Sequence, residues 1–491
     1  MGLVIYNTIT RRKDPFDPLE KGRVRMYVCG PTVYDSSHVG HARKEVVFDV
    51  IVRYLRHLGY DVCYVRNITD VDDKIIQRAQ EEGTTWEKVA RRYEQEFRDD
   101  VHALGVLPPD LEPRATENIP EMLRMIRVLL DKGFAYVADG SVYFSVERCR
   151  EYGRLSQRQR DEMVAGARIE VDERKHNPLD FALWKASKPG EPRWTSPWGE
   201  GRPGWHIECS AMSRKYLGDT LDIHGGGIDL IFPHHENEIV QSESATGKTF
   251  CRFWIHNGLL SVRHEKMSKS LGNFVTIKDA LASHHPEILR LFFLSHHYRS
   301  PVDYSPDALT EAKKNINYFY TTLLRIKEIC GDDEDRTTER GSFQGGGGDL
   351  AVQVEDLENR VLQKMNDDLN TAGALGELFK TCSALNRWID ASGEASAIGG
   401  RGLFDEFRRT VKRIGSVLGL LQEDPVAWFQ KVDQLSSEGV GDAEIQERIR
   451  QREEARKVKD WRLADQIREG LSALGVILED TPHGTRWKRM A

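Results

Sequence analysis

A chain of 491 residues is too long for one hydrophobic core, so about three or four domains are expected. Hydrophobic residues at 39% and charged residues at 30% exclude wholesale disorder, and no apolar run approaches the length needed to cross a bilayer. A formal net charge of -7 excludes indiscriminate nucleic-acid binding through a broadly basic surface, though not a local basic face such as RIRQREEARKVKDWR or the closing TRWKRMA.

Seven scattered cysteines, an odd number in a long chain, do not read as a disulfide framework. The opening MGLVIYNTITRRKDPF runs apolar then basic, the reverse of a secretory leader. The expected setting is cytoplasmic, with each cysteine a free thiol or a metal ligand.

In chain order, RVRMYVCG from Arg23 alternates polar and apolar residues and stops at Gly30 and Pro31, which predicts a buried strand. After PTVYDSSHVGHA, the residues Val46, Val47, Val50, Ile51, Tyr54, Leu55 and Leu58 recur at helical spacing until Gly59. DVCYVRNIT predicts a second strand. Strand, helix, strand is the unit of an α/β, doubly wound parallel (Rossmann-like) sheet, whose ligands sit beyond the carboxyl ends of the strands, where Cys29 and His38 to His41 fall.

From about Pro108 to Pro203 the composition changes and includes the hairpin-like AYVADGSVYFSV, which reads as an insertion into the sheet domain. Sheet-like character is expected to resume at Gly204 and to run past Lys266 to Ser270, with helices from about Pro306. GDDEDRTTERGSFQGGGGDL, Gly331 to Leu350, reads as a flexible loop; its glycine run lacks the preceding strand and following Lys-Ser/Thr of a phosphate loop. The predicted domains are a catalytic domain at 1–305, with an insertion at about 108–203 and a Lys266-bearing segment at about 230–305, a helical bundle at 306–425, and a small mixed module at 426–491.

Three constellations carry chemistry. His38, Val39, Gly40 and His41 open a helix, where two imidazoles share one face, free amides and the helix dipole favour anions, and Gly40 lets a ligand approach the backbone. Solvated or capping histidines account for the same pattern. Lys266, Met267, Ser268, Lys269 and Ser270, followed by Leu271 and Gly272, form a cationic, hydrogen-bonding loop suited to charge developing on a phosphate; a solvated basic turn is the alternative. Cys29, Cys209 in GWHIECSAMS, and PHHENE with His234, His235, Glu236 and Glu238 supply metal-ligating residue types, His234 and Glu238 on one helical face. Small buried cysteines and a solvated helix start are the bland version.

Together, in this order and separation, the first two resemble the HIGH and KMSKS motifs of class I aminoacyl-tRNA synthetases, with Val39 where Ile is usual. The resemblance implies that His38, Gly40 and His41 contact ATP. Lys266 and Lys269 would stabilise in-line attack of an amino-acid carboxylate on the α-phosphate, with positioning and charge carrying the rate. Cys29 to Tyr34, Gly225 to Glu238 and the closing LEDTPHGTRW resemble the cysteine-specific members of that family, over essentially the whole chain. That implies an ATP-dependent ligase using ATP with Mg, cysteine and its tRNA, with one zinc ion per chain held by Cys29, Cys209, His234 and Glu238. Zinc prefers thiolate, so serine would be rejected without a hydrolytic site.

By the same resemblance Asp229 takes the ATP ribose, a turn aspartate being its alternative, and Thr69, Trp205 and His224 line the amino-acid pocket. His224 reads also as a further ligand or as a partner behind the metal, and ordinary packing remains open for it. In the last module Arg456, Trp461, Asp465 and Asp480 match the family's anticodon-binding region, Trp461 stacking a base or, equally, forming the module's core. A monomer without membrane association is expected. The nearest rival is a mycothiol-type ligase joining cysteine to an aminoglycoside, which lacks the full carboxy-terminal module. A non-catalytic nucleic-acid binder is the rival from another class, and retention of both motifs and all four ligands speaks against it.

Overall fold

The structure is a computed structural model that describes residues 2–158, 163, 173–266, 273–331, 348–397, 400–437, 442–457, 460–473, 476–481 and 484–489. Its centre is a parallel sheet of four strands, β1 (Arg23–Val28), β2 (Asp61–Arg66), β3 (Leu221–Gly227) and β4 (Cys251–Asn257), in the order β4-β3-β1-β2. The chain leaves β1 towards β2 on one side and reaches β3 on the other, so the sheet reverses between β1 and β3. Such a switch point opens a crevice at the carboxyl ends of the strands.

Helix α1 (Val39–His57) crosses from β1 to β2 and begins seven residues before the apolar run at Val46. His38 explains the early start, because its Nδ1 accepts from Gly40 N at 3.1 Å and His41 N at 3.4 Å, in the manner of a capping side chain. Although α1 is buried along most of its length, it carries four buried charged residues, each with partners. Lys44 and Arg66 flank Glu45, Asp49 meets Arg53 and Arg290, and Arg43 donates to backbone carbonyls. Unpartnered, each would carry a large desolvation penalty.

The stretch from Gly204 differs from the sheet-like expectation: Trp205–Leu217 is a helix, α2, and only then does β3 follow. Glu208, Ser210 and Ser213 are buried in it beside Ile207, Cys209 and Met212. A helix buried nearly all round has no polar face, and without one the helical period cannot be read. After β3 a short turn leads into α3 (Glu236–Thr246).

Residues between β2 and α2 build a five-stranded antiparallel sheet from Ala135–Ala138, Ser141–Phe144, Phe181–Ala186, Gly199–Pro203 and Trp194–Ser196, packed on helix Ile119–Asp131. Its first hairpin turns on Asp139 and Gly140, both at positive φ, as a two-residue turn requires. Beyond β4, strands β5 (Leu260–Val262), β6 (Glu265–Lys266) and β7 (Val302–Tyr304) form a small sheet in the order β6-β5-β7. Helices Pro306–Cys330, Leu357–Asn366, Thr371–Ala397 and Arg401–Leu418 follow. The predicted loop at 331–350 lies mostly outside the described residues.

Two compact units are present, Met1–Ala280 with Pro286–Gln422, and Leu281–His285 with Glu423–Ala491. The second holds helices Pro425–Ser437, Asp442–Lys457 and Trp461–Ala473 and a hairpin of Val476–Thr481 with Gly484–Arg489. Ile449, Leu471, Val476 and Leu478 form an apolar cluster in it. Among the described residues no helix is long and apolar enough to cross a membrane.

Candidate active site and metal centre

At the switch point four donors from three regions converge. Cys29 directly follows β1, where its amide donates to Gly225 O at 3.1 Å; Cys209 comes from α2; His234 and Glu238 flank the start of α3. Cys29 Sγ is 3.6 Å from Cys209 Sγ and 3.4 Å from Glu238 Oε1, and His234 Nε2 is 2.9 Å from the same oxygen. All four residues are buried. A tetrahedral ion with bonds of about 2.0–2.3 Å separates its ligands by roughly 3.3–3.8 Å, close to the sulfur distances here. A second, overlapping set joins Cys29 and Glu238 to His224 and His235. His224 Nε2 lies 3.6 Å from Cys29 Sγ and 3.2 Å from Glu238 Oε2, yet that oxygen has no well-directed hydrogen bond among the described residues. A buried carboxylate oxygen left over in a nest of sulfur and imidazole is the chemistry of a cation site.

Protonation in the cluster follows from these contacts. Burial opposes the Glu238 charge, but His224 and His234 outweigh it and hold the carboxyl well below the usual carboxylate range. Burial likewise works against a charged His234, and Glu238 and Cys209 overcome it, raising the imidazole to about 10. Of the two thiols, Cys209 carries the charge: burial alone would raise it, while hydrogen bonds from Cys29 and His234 bring it down to about 6. Cys29 is pushed up by burial and by the charge on Cys209. A divalent ion would ionise both thiols outright.

A further shell orients these groups. His234 Nδ1 is 2.9 Å from His206 Nδ1 and its ring stacks on Trp205 at 4.1 Å, which turns Nε2 towards Glu238. His235 Nε2 lies 3.3 Å from Cys29 Sγ, its Nδ1 is 2.8 Å from His256 Nε2, and His256 Nδ1 reaches Thr8 Oγ1 at 2.7 Å. Lys44 Nζ donates to Cys29 O at 2.8 Å. Such outer hydrogen bonds fix ring orientation and ligand basicity. Thr69, buried on the next segment, donates to Glu208 Oε2 at 2.9 Å and accepts from the Asn67 side chain, whose Oδ1 also accepts from Gly30 N. Trp205 and His224 thus touch the donor cluster, and Thr69 reaches it through Asn67 and Glu208.

The start of α1 borders a cavity of about 300 Å³ lined by Tyr34, Asp35, Ser37, His38, His41 and Phe274. The His38 and His41 rings stack at 3.8 Å. Burial lowers His38 to about 4, Asp229 partly opposing it, and holds His41 well below the usual imidazole range, so both rings are neutral near pH 7. Asp229 itself is exposed in the turn after β3, and Gly40 sits in the first turn of α1. The backbone of Lys266 ends β6; its side chain and Lys269 lie outside the described residues. In the second unit Arg456 and Asp465 are exposed on two helices, Trp461 opens the helix Trp461–Ala473 and Asp480 lies in a strand, the side chains of the last two being outside the described residues.

His206, His256, Asn67 and Lys44 were not among the predicted site residues, and His235, named among the metal-ligating residue types, was not assigned as a ligand. The signal was present for His235, which adjoins His234, and for His256, a polar residue inside the apolar strand β4. Lys44 and Asn67 act through backbone and amide contacts that only the folded chain brings together.

The family described as the tRNA synthetases class I (C) catalytic domain matches residues 15–314, a DALR domain matches 360–422, and the cysteinyl-tRNA ligase anticodon binding domain matches 441–487. The methionyl-tRNA synthetase of Mycobacterium tuberculosis, solved with methionyl-adenylate, is 18% identical and superposes with a TM-score of 0.61 over 81% of this chain and 92% of that one. The fold is that of the class I aminoacyl-tRNA synthetases. Cysteine–tRNA ligases of Syntrophobacter fumaroxidans and Geobacter sulfurreducens are each 52% identical, over 99% of this chain and their whole length. With these matches the chain belongs to the cysteine–tRNA ligase family. The aminoglycoside-ligase rival finds no support in them.

Proposed function

We infer that the protein activates L-cysteine with ATP and transfers it to the 3′ end of cysteine tRNA. The carboxylate oxygen of cysteine bonds to the α-phosphorus as the bond to the bridging oxygen breaks, and pyrophosphate leaves with its Mg. The tRNA hydroxyl then displaces AMP from the cysteinyl carbonyl. The observation that carries the reading is the convergence of Cys29, Cys209, His234 and Glu238 at the switch point, beside the His38 to His41 turn.

We assign zinc to the thiol-rich set, since two sulfurs, one imidazole and one carboxylate suit it, and His235 already faces His256. Bound there, zinc would supply a thiophilic Lewis acid at which a substrate thiol outcompetes a hydroxyl. Around it, His206 and Trp205 hold the His234 ring, Lys44 fixes the Cys29 backbone, and Thr69 borders the space for the amino acid. The neutral His38 and His41 would meet ATP phosphates, with Asp229 taking the ribose. Lys266 and Lys269 neutralise charge as pyrophosphate departs, and Arg456, Trp461, Asp465 and Asp480 read the anticodon. None of the seven cysteines is in a disulfide, in keeping with a reducing cytoplasmic setting.

Cysteine-dependent exchange of pyrophosphate into ATP, together with zinc near one equivalent per chain and charging of cysteine tRNA, tests the reading. Zinc-loaded protein without that exchange would end it.

A further inference from the structure

Arg43 lies five residues after His38 on α1 and is 1% exposed, yet no charged neighbour among the described residues offsets its burial, which lowers the guanidinium to about 10. It remains a cation at neutral pH. Its NH1 donates to Gly258 O and Leu259 O, both at 2.7 Å, and its NH2 donates to Tyr298 O at 3.2 Å and to Ser300 O. One side chain therefore holds four carbonyls on two separate backbone segments.

Those segments frame the small sheet. Gly258 and Leu259 link β4 to β5, and Tyr298 to Ser300 lead into β7. They touch each other directly: Gly258 N donates to Tyr298 O at 2.8 Å, Val302 N donates to Leu259 O at 3.0 Å, and a Cβ at Gly258 would lie 2.4 Å from Ser300 O. β5 pairs with β7 on one side and with β6, which ends at Lys266, on the other. The start of α1 is tied to the same region by Val39 N to Val275 O at 3.1 Å and by Ile277 N to Ser37 O at 2.9 Å.

We propose that Arg43 is a positioning residue, whose guanidinium fixes the strand pair β5 and β7, and with it the backbone of Lys266, relative to the α1 turn that carries His38 and His41. A planar fork with five donors suits four carbonyls arranged around it; an ammonium on a flexible stem has three donors and no plane. Loss of the fork leaves the metal cluster and amino-acid pocket untouched but loosens the two halves of the ATP site against each other. Small misplacements of this kind cost turnover far more than binding.

The inference rests on the proposed activity, and one experiment separates the two. Pyrophosphate exchange is measured for the native chain and for Arg43→Lys at a temperature where both are folded, with metal content and the KM for cysteine and ATP. The expected result is a kcat lower by roughly 10- to 100-fold in Arg43→Lys, with both KM values and zinc within about threefold of native. Arg43→Ala, where it folds, regains part of its kcat with added ethylguanidinium but not with ethylammonium. Native kcat in Arg43→Lys, or a loss of zinc and cysteine affinity in step with kcat, overturns the positioning role. A native chain without cysteine-dependent exchange would instead overturn the activity itself.

Discussion

Cys209 and Asp100 put the energetics of single side chains to the test. Cys209 holds its charge through hydrogen bonds from Cys29 and His234 in a buried cluster, so a hydroxyl in place of its sulfur removes the better ligand without changing volume much. Cys209→Ser is expected to lower bound metal and to raise the KM for cysteine by about tenfold or more, with that for ATP changed less than about threefold. Equal effects on both substrates would count against a role in recognising the thiol. Asp100, on the helix Trp86–Ala103, is 7% exposed and its Oδ2 has no hydrogen-bond partner among the described residues. Burial, aided by Glu96, raises its pKa from 3.8 to about 6. The folded protein thus holds this proton more tightly than the unfolded chain does. Its contribution is favourable at acid pH, is lost as pH rises through about 6, and leaves a penalty at neutrality. Asp100→Asn should therefore stabilise the protein at about pH 7.5 by on the order of 1 kcal/mol, discounted for solvent, and by less at about pH 5. A gain of equal size at both values would contradict this.

Among the elements, glycines report where backbones cross. A Cβ on Gly30 would lie 1.5 Å from the carbonyl oxygen of Asn67, a backbone atom that cannot swing away, directly beside Cys29. Gly30→Ala should cost about 4 kcal/mol or more and take bound metal with it. Gly376, inside the helix Thr371–Ala397, has nothing within 4 Å of the same position, so Gly376→Ala should gain about 0.5–1 kcal/mol in thermal unfolding. Opposite signs at the two sites are the expected outcome. These crossings also mark what the sequence could convey. The strands β1 and β2 and the long helix between them were legible, because alternation, apolar period and the Gly-Pro and Gly59 stops all agree. α2 was not, because burial of Glu208, Ser210 and Ser213 removes the polar face that a helical period needs. The donor residues could be picked out by type, and the resemblance grouped them. Their distances, and the outer ring of His206, His235, His256 and Lys44, depend on β1, β3, α2 and α3 meeting at one point, which local pattern does not encode.

At the scale of the whole molecule, the match of residues 15–314 to a catalytic domain and of 441–487 to an anticodon-binding domain divides the work between activation and tRNA selection. Trp461→Ala should then leave pyrophosphate exchange unchanged while weakening tRNA binding by about 1–3 kcal/mol, as the loss of one stacked base does. Unchanged tRNA affinity would return Trp461 to the module's core. The central claim is that the metal held by Cys29, Cys209, His234 and Glu238 selects cysteine through its thiol. Absorption spectra of the cobalt-substituted protein test it most directly, since a new sulfur ligand adds intense thiolate-to-metal bands. Cysteine is expected to add these bands and serine at the same concentration is not; a spectrum indifferent to cysteine would make the metal structural and remove its role in selecting the thiol.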